Sequence, residues 1–165
     1  MAKRKGGLSI VRISIIAAVI GIALIAVAAI SFYLDQRSHQ APFEIAPYPA
    51  AAYWGESNKR DTSRNIFYLT ADLPEQVALY YQQKMADHYG NNDQSCVRLP
   101  ATGIVQESET NPNIAPFIYR CMFDNSGFNS SQYTQVEIYP GRADDNPALN
   151  AEGMTIVKYE QQWQR

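Results

Sequence analysis

The chain changes its polar–apolar pattern three times. From Ile13 to Leu34 there are 22 consecutive uncharged residues, closed by Asp35. A helix rises about 1.5 Å per residue, so this run reaches roughly 33 Å, enough to cross a hydrocarbon core of about 30 Å. Residues 35–42 (DQRSHQAP) are polar and read as a short linker. Beyond them the pattern has first helical and then strand periodicity. Val77, Tyr81, Met85 and Tyr89 recur every four residues, with Leu73 and Ala78 beside them, and predict an amphipathic helix from Leu73 to Tyr89. Asp72 with Glu75 three residues on reads as an N-cap with a capping-box partner. Pro74 suits the first turn, and Gly90 reads as the stop.

The remaining segments predict strands. Asn65–Thr70 (NIFYLT) is β-branched and aromatic and runs into the helix cap. Cys96–Leu99 is short. In Phe117–Phe123 (FIYRCMF), Phe117, Tyr119, Cys121 and Phe123 share one face, with Arg120 on the other. Gln135–Tyr139 sets Val136 and Ile138 against Gln135, Glu137 and Tyr139, and Pro140-Gly141 ends it. Met154–Tyr159 is a last strand. Phe43–Trp54 holds an irregular one, interrupted by Pro47 and Pro49. The expected fold is α+β: an N-terminal transmembrane helix followed by a small, mainly antiparallel sheet packed against one helix. The chain divides into a basic cytoplasmic N-terminus (1–12), a transmembrane signal-anchor helix (13–34), the linker (35–42) and an extracytoplasmic α+β domain (43–165).

Charge sets the expected orientation. Lys3, Arg4, Lys5 and Arg12 precede the apolar run, and only Arg37 follows it closely, beside Asp35. Positive flanks stay in the cytoplasm, so the domain is expected outside a cell membrane crossed once. A cleaved signal peptide is the rival reading, since Ala26-Val27-Ala28 and Val27-Ala28-Ala29 resemble cleavage sites. The apolar run is longer than the usual signal h-region, which favours an uncleaved anchor. The two cysteines, Cys96 and Cys121, both fall after the anchor, where an oxidising compartment favours a disulfide. Their spacing is not C-x-x-C and no histidine cluster accompanies them, so a structural bond is preferred to redox or metal chemistry. The residues after Asp35 carry ten Lys/Arg against fifteen Asp/Glu, which argues against nucleic acid as a partner.

Candidate chemistry is sparse. His39 lies in the linker and His88 near the helix C-terminus, neither with a catalytic partner at a recognisable spacing. There is no G-x-S-x-G, H-E-x-x-H or phosphate-binding glycine loop. Asp144-Asp145-Asn146-Pro147, with Asn150 and Glu152, collects oxygen ligands but lacks the EF-hand spacing and reads as a solvated turn. Asn129-Ser130-Ser131 matches the N-glycosylation tripeptide, in a turn-rich loop. No catalytic, metal or cofactor residue is assigned.

Two features point to binding. Two Trp, eleven Tyr and six Phe exceed what one small core needs. Tyr48, Tyr53, Trp54, Tyr80 and Trp163 are the candidate interface aromatics, because Tyr and Trp are favoured at protein interfaces and in sugar-binding grooves. In the anchor, Ser14, Gly21 and Ala28 repeat every seven residues and Ala17 and Gly21 form a small-x-x-x-small pair, a candidate helix-packing face. The expectation is a non-enzymatic single-pass protein. It contacts the lipid bilayer through residues 13–34 and uses its exported domain to bind a membrane-protein partner, as an accessory or assembly subunit. A cell-surface module for glycans or small molecules is the alternative.

Overall fold

The structure, a computed structural model, describes residues 10–90, 94–100, 115–127 and 130–165. The chain divides into two compact units, one ending at Ser38 and one beginning at His39. The first is helix α1, Ile10–Ser38, 29 residues long and apolar on every side over most of its length. None of its residues is buried. A helix apolar all round is suited to lipid, and about 43 Å of length exceeds what a bilayer core requires. It is the one helix among the described residues long and apolar enough to cross a membrane. It continues through Asp35–Ser38, where no Pro or Gly interrupts it, and the Ser38 hydroxyl donates back to the Asp35 carbonyl at 2.7 Å.

The described residues of the second unit form a six-stranded sheet with one helix on it. The elements are β1 Ala52–Arg60, β2 Ser63–Thr70, α2 Pro74–Tyr89, β3 Val97–Leu99, β4 Ile118–Asp124, β5 Tyr133–Pro140 and β6 Thr155–Gln162. The spatial order is β1-β2-β6-β5-β4-β3, and every neighbouring pair is antiparallel. The expected α+β class and antiparallel sheet are therefore present. Helix α2 carries the chain from β2, near one edge, to β3 at the other, and packs on β4 and β5.

Alternation decides which residues meet α2. Cys121 pairs with Val136 and Val136 with Tyr159, while Tyr119 pairs with Ile138 and Ile138 with Val157. These rows share a face with Phe123, and Val77, Tyr81 and Met85 come down on it from α2 to complete the buried cluster. Cys96, just before β3, is bonded to Cys121 on β4, tying the edge of the sheet into this core.

Two local expectations are corrected. Asp72 does not cap α2. Leu73 occupies the N-cap position with extended dihedrals and no side-chain cap, and Pro74 begins the helix. The Asp72 carboxylate instead accepts the Tyr48 hydroxyl at 2.8 Å, and its carbonyl accepts the Thr155 hydroxyl at 2.6 Å. The first strand overlaps the expected Phe43–Trp54 segment only at Ala52–Trp54 and runs on to Arg60. Residues 39–51 form an irregular strap across the helix-bearing face. Pro47 and Pro49 lack the N–H groups a ladder needs, so sheet side chains hold the strap by its carbonyls. Gln132 donates to Ala41 at 2.7 Å, Thr134 and Gln161 both donate to Phe43, and Tyr159 donates to Ala46 at 3.2 Å. This explains why Gln132, Thr134 and Gln161 are buried although polar.

A hydrogen-bonded chain of phenols joins strap, helix and sheet. The Tyr48 N–H donates to the Tyr81 hydroxyl at 2.9 Å, which bonds the Tyr159 hydroxyl at 2.6 Å. Burial raises the Tyr81 pKa well above its ordinary value, opposed by its hydrogen bonds. Burial also raises that of Tyr159, aided by the charge and hydrogen bond of Tyr81. Unfolded tyrosines titrate near pH 10, so above that pH the unfolded chain releases protons that the native one retains, and stability falls. Chemical denaturation of the full-length protein in detergent is expected to give a flat stability between about pH 7 and 9 and a decline above about pH 10. Tyr81→Phe is expected to lessen that decline while costing about 1–2 kcal/mol at neutral pH, because the Tyr48 N–H loses its acceptor.

The two sheet edges differ. At the β4 edge beyond β3, the Tyr89 phenol accepts the Asp124 N–H and reaches the Met122 and Asp124 carbonyls at 3.4 and 3.0 Å. The end of α2 thus covers backbone that β3 is too short to pair. At the other edge, β1 is bulged at Trp54, which lies between the pairs Tyr53–Tyr68 and Gly55–Phe67. A second irregularity, at Asn58 with φ 50°, and the charges of Lys59 and Arg60 blunt the rest of that strand.

Candidate functional site

Among the described residues of the second unit no helix packs on the other face of the sheet, and its side chains are built by the opposite parity. Arg120, Glu137, Lys158 and Phe67 follow one another across β4, β5, β6 and β2, and Gln135, Glu160 and Asn65 form the next row. On an open face a carboxylate is normally solvated, yet Glu137 is only 8 % exposed. Its oxygens are claimed by neighbours. Arg120 Nη2 lies 3.0 Å from Oε1, Lys158 Nζ 3.0 Å from Oε2, and the Gln135 amide donates to Oε1 at 3.0 Å. Lys158 also reaches Glu160 at 3.2 Å. Partial burial disfavours the Lys158 charge, but the hydrogen bonds and charges of Glu137, then of Glu160, outweigh it and raise the pKa.

Two open hollows flank this network. One, about 350 Å³, is walled by Trp54, Phe67, Ala148 and Leu149. The Trp54 ring stands edge-on to Phe67 at 6.3 Å and its N–H donates to the Ala148 carbonyl at 3.1 Å. The other, about 400 Å³, is polar and lined by Asn58, Arg60, Asn65, Lys158, Glu160 and Gln162. Since Phe67 pairs with Lys158 and Asn65 with Glu160, the apolar and polar hollows adjoin along β2 and β6. Exposed Met122 (38 %) on β4 and Leu149 (55 %) in the β5–β6 loop add apolar surface to the same side.

The five candidate aromatics do not form one patch. Tyr48 and Tyr80 meet edge-to-face at 5.3 Å on the helix-bearing side, where Tyr48 belongs to the phenol chain. Tyr53, 64 % exposed, stands over Tyr68 at 6.0 Å. Trp54 alone of the five walls the apolar hollow. Trp163 is half-buried after β6, its backbone N–H donating to the Thr62 carbonyl. Of the anchor positions, Ser14, Ala17 and Ala28 are exposed on α1 and Gly21 is half-exposed, with nothing near the place a Cβ would occupy.

Other candidates are occupied structurally. His39 is buried with Nε2 2.7 Å from the Asn125 carbonyl, and His88 packs beside Phe43 and Tyr89. In the Asp144–Glu152 loop, the side chains of Asp144, Asn146 and Asn150 each accept the backbone N–H two residues on. Among the described residues no three His, Cys, Asp or Glu side chains converge as metal ligands. The glycosylation tripeptide begins at Asn129, which lies outside the described residues. Phe67, Leu149 and the Glu137 network were not singled out by sequence. The available signal was the unbroken apolar run Ile66-Phe67-Tyr68-Leu69, which marks a strand with both faces occupied.

No family model matches the chain, and neither a curated protein nor a solved structure matches it. The apolar helix is compatible with a single-pass membrane protein, and such a helix would contact the lipid bilayer.

Proposed function

We propose that this protein is a non-enzymatic accessory or assembly subunit of a membrane complex. Its N-terminus is cytoplasmic, and its extracytoplasmic domain binds another membrane protein through the helix-free face. The observation that carries this reading is the face itself. It is open and carries apolar surface at Met122, Leu149 and Trp54 around a locked array of charges. An apolar centre with oriented charges suits a protein interface, where charge fixes register and exposed apolar area supplies affinity. The four cations before the anchor and the Cys96–Cys121 bond support the orientation.

Photo-crosslinking in the native membrane tests the surface. A photoreactive residue at Met122 or Leu149 is expected to yield a discrete adduct, and one at exposed Gln83 on α2 none. Adducts from position 83 alone would contradict the reading. Orientation is checked with a membrane-impermeant amine reagent on intact cells, which is expected to modify Lys59, 75 % exposed. Protection until the membrane is broken would reverse the topology.

The Trp54–Phe67 hollow favours a second reading, a cell-surface module for a glycan or small molecule, because an aromatic wall beside amides and charges suits sugar recognition. On that reading glycan binding quenches tryptophan fluorescence and Trp54→Ala abolishes the response.

A further inference from the structure

The loop joining β5 to β6 holds an arginine that has no ion-pair partner among the described residues. Arg142 is half-buried, and its Nη1 atom is buried with no hydrogen-bond partner. No ion pair to Arg142 is present among the described residues, whereas Arg64, Arg120 and Lys158 each have a carboxylate. A buried guanidinium N–H without an acceptor is costly, and native proteins retain few such groups.

The position of Arg142 is fixed by its neighbours. At Gly141 a Cβ would stand 2.1 Å from the Ala151 carbonyl oxygen, so only glycine permits this approach of the two ends of the loop. The Gly141 N–H donates to Met154 at 2.7 Å and the Ala151 N–H to the Arg142 carbonyl at 2.9 Å. Arg142 lines a cavity of about 230 Å³ together with Tyr139, Asp144, Leu149, Ala151 and Ile156. Tyr139 makes no hydrogen bond to a described residue, and burial raises its pKa, so its phenol stays a donor at neutral pH.

We propose that this cavity is a carboxylate-binding site, in which the Arg142 guanidinium takes the anion and Leu149 and Ile156 receive its carbon skeleton. The planar guanidinium fork matches a carboxylate. Asp144, Asp145 and Glu152 in the same loop make the surroundings negative, which penalises a dianion such as phosphate and leaves a monoanion as the ligand class. The carboxylate is that of a small free acid or of a peptide C-terminus.

The test is side-chain NMR of the full-length protein in detergent micelles, following the arginine Nε–H signals at matched ionic strength. Sodium acetate is expected to shift the Arg142 signal saturably, with chloride and phosphate leaving it in place. Arg142→Gln should abolish binding, read on the other loop resonances. Arg142→Lys should weaken it about tenfold, since lysine keeps the charge but loses the fork. Unchanged signals from the other arginines will show that both variants are folded. Acetyl-Ala-Ala and its C-terminal amide distinguish the sources. Tighter binding of the peptide acid than of acetate, with none of the amide, identifies a peptide C-terminus, and acetate binding at least as tightly identifies a free acid. No saturable shift with either carboxylate, or an equal response to phosphate or to the amide, would overturn the proposal.

Discussion

Replacing Cys96 and Cys121 together with alanine is expected to lower the unfolding free energy by about 3 kcal/mol, the chain-entropy value for a loop of this length. The bond spans 25 residues of sequence and joins Cys121 on β4 to Cys96, just before the short edge strand β3. With three residues, β3 has little pairing of its own, so its attachment depends on the crosslink. Cys121 is fully buried, and truncating it also removes packing against its neighbours. Urea denaturation of the full-length protein in detergent, with and without reductant, separates the two effects: the oxidised–reduced difference in wild type reports the crosslink alone. A difference below about 1 kcal/mol would mean that the unfolded chain is little constrained by the bond.

Glu137→Ala is expected to cost about 3 kcal/mol, because it removes the better-buried of the two carboxylates on Lys158, leaving only the more exposed Glu160, and takes the carboxylate from Arg120 as well. The Lys158 side chain is 19 % exposed and that of Arg120 43 %, so the lysine bears most of the penalty. Restoring apolar balance with Glu137→Leu and Lys158→Met together should recover most of the loss, since replacing a buried pair costs less than breaking it. Denaturation curves of the single and double variants measure this. A Glu137→Ala change within about 0.5 kcal/mol would show that the pair is effectively solvated.

These two sites also mark what the sequence could and could not disclose. The core face was legible because its signals are local: four-residue spacing on α2, two-residue alternation on β4, and cysteines set in those patterns. Glu137 stands on the side of β5 opposite Val136 and Ile138, as the alternation predicts, yet it is buried there, and no local pattern reveals that two cations from other strands converge on it. Strand β1 lies mostly beyond the expected segment because an edge strand needs no apolar alternation. Gly55-Glu56-Ser57-Asn58 carries no apolar alternation, yet it pairs with the aromatic β2. Asp72 shows the converse: the cap signal was present, but Tyr48, 24 residues earlier, took the carboxylate. The apolar hollow depends on Trp54, Phe67 and Leu149 meeting from three segments, a long-range fact.

The central claim is that the helix-free face binds a membrane partner. Its most direct test is purification of tagged full-length protein from its native membrane in mild detergent, comparing wild type with Met122→Glu/Leu149→Glu. Both positions are exposed and outside the core, so the variant should fold. A stoichiometric membrane protein is expected with wild type, and its loss, without loss of the tagged chain, from the variant. Recovery of wild type alone, or equal recovery of the partner with both, would contradict it.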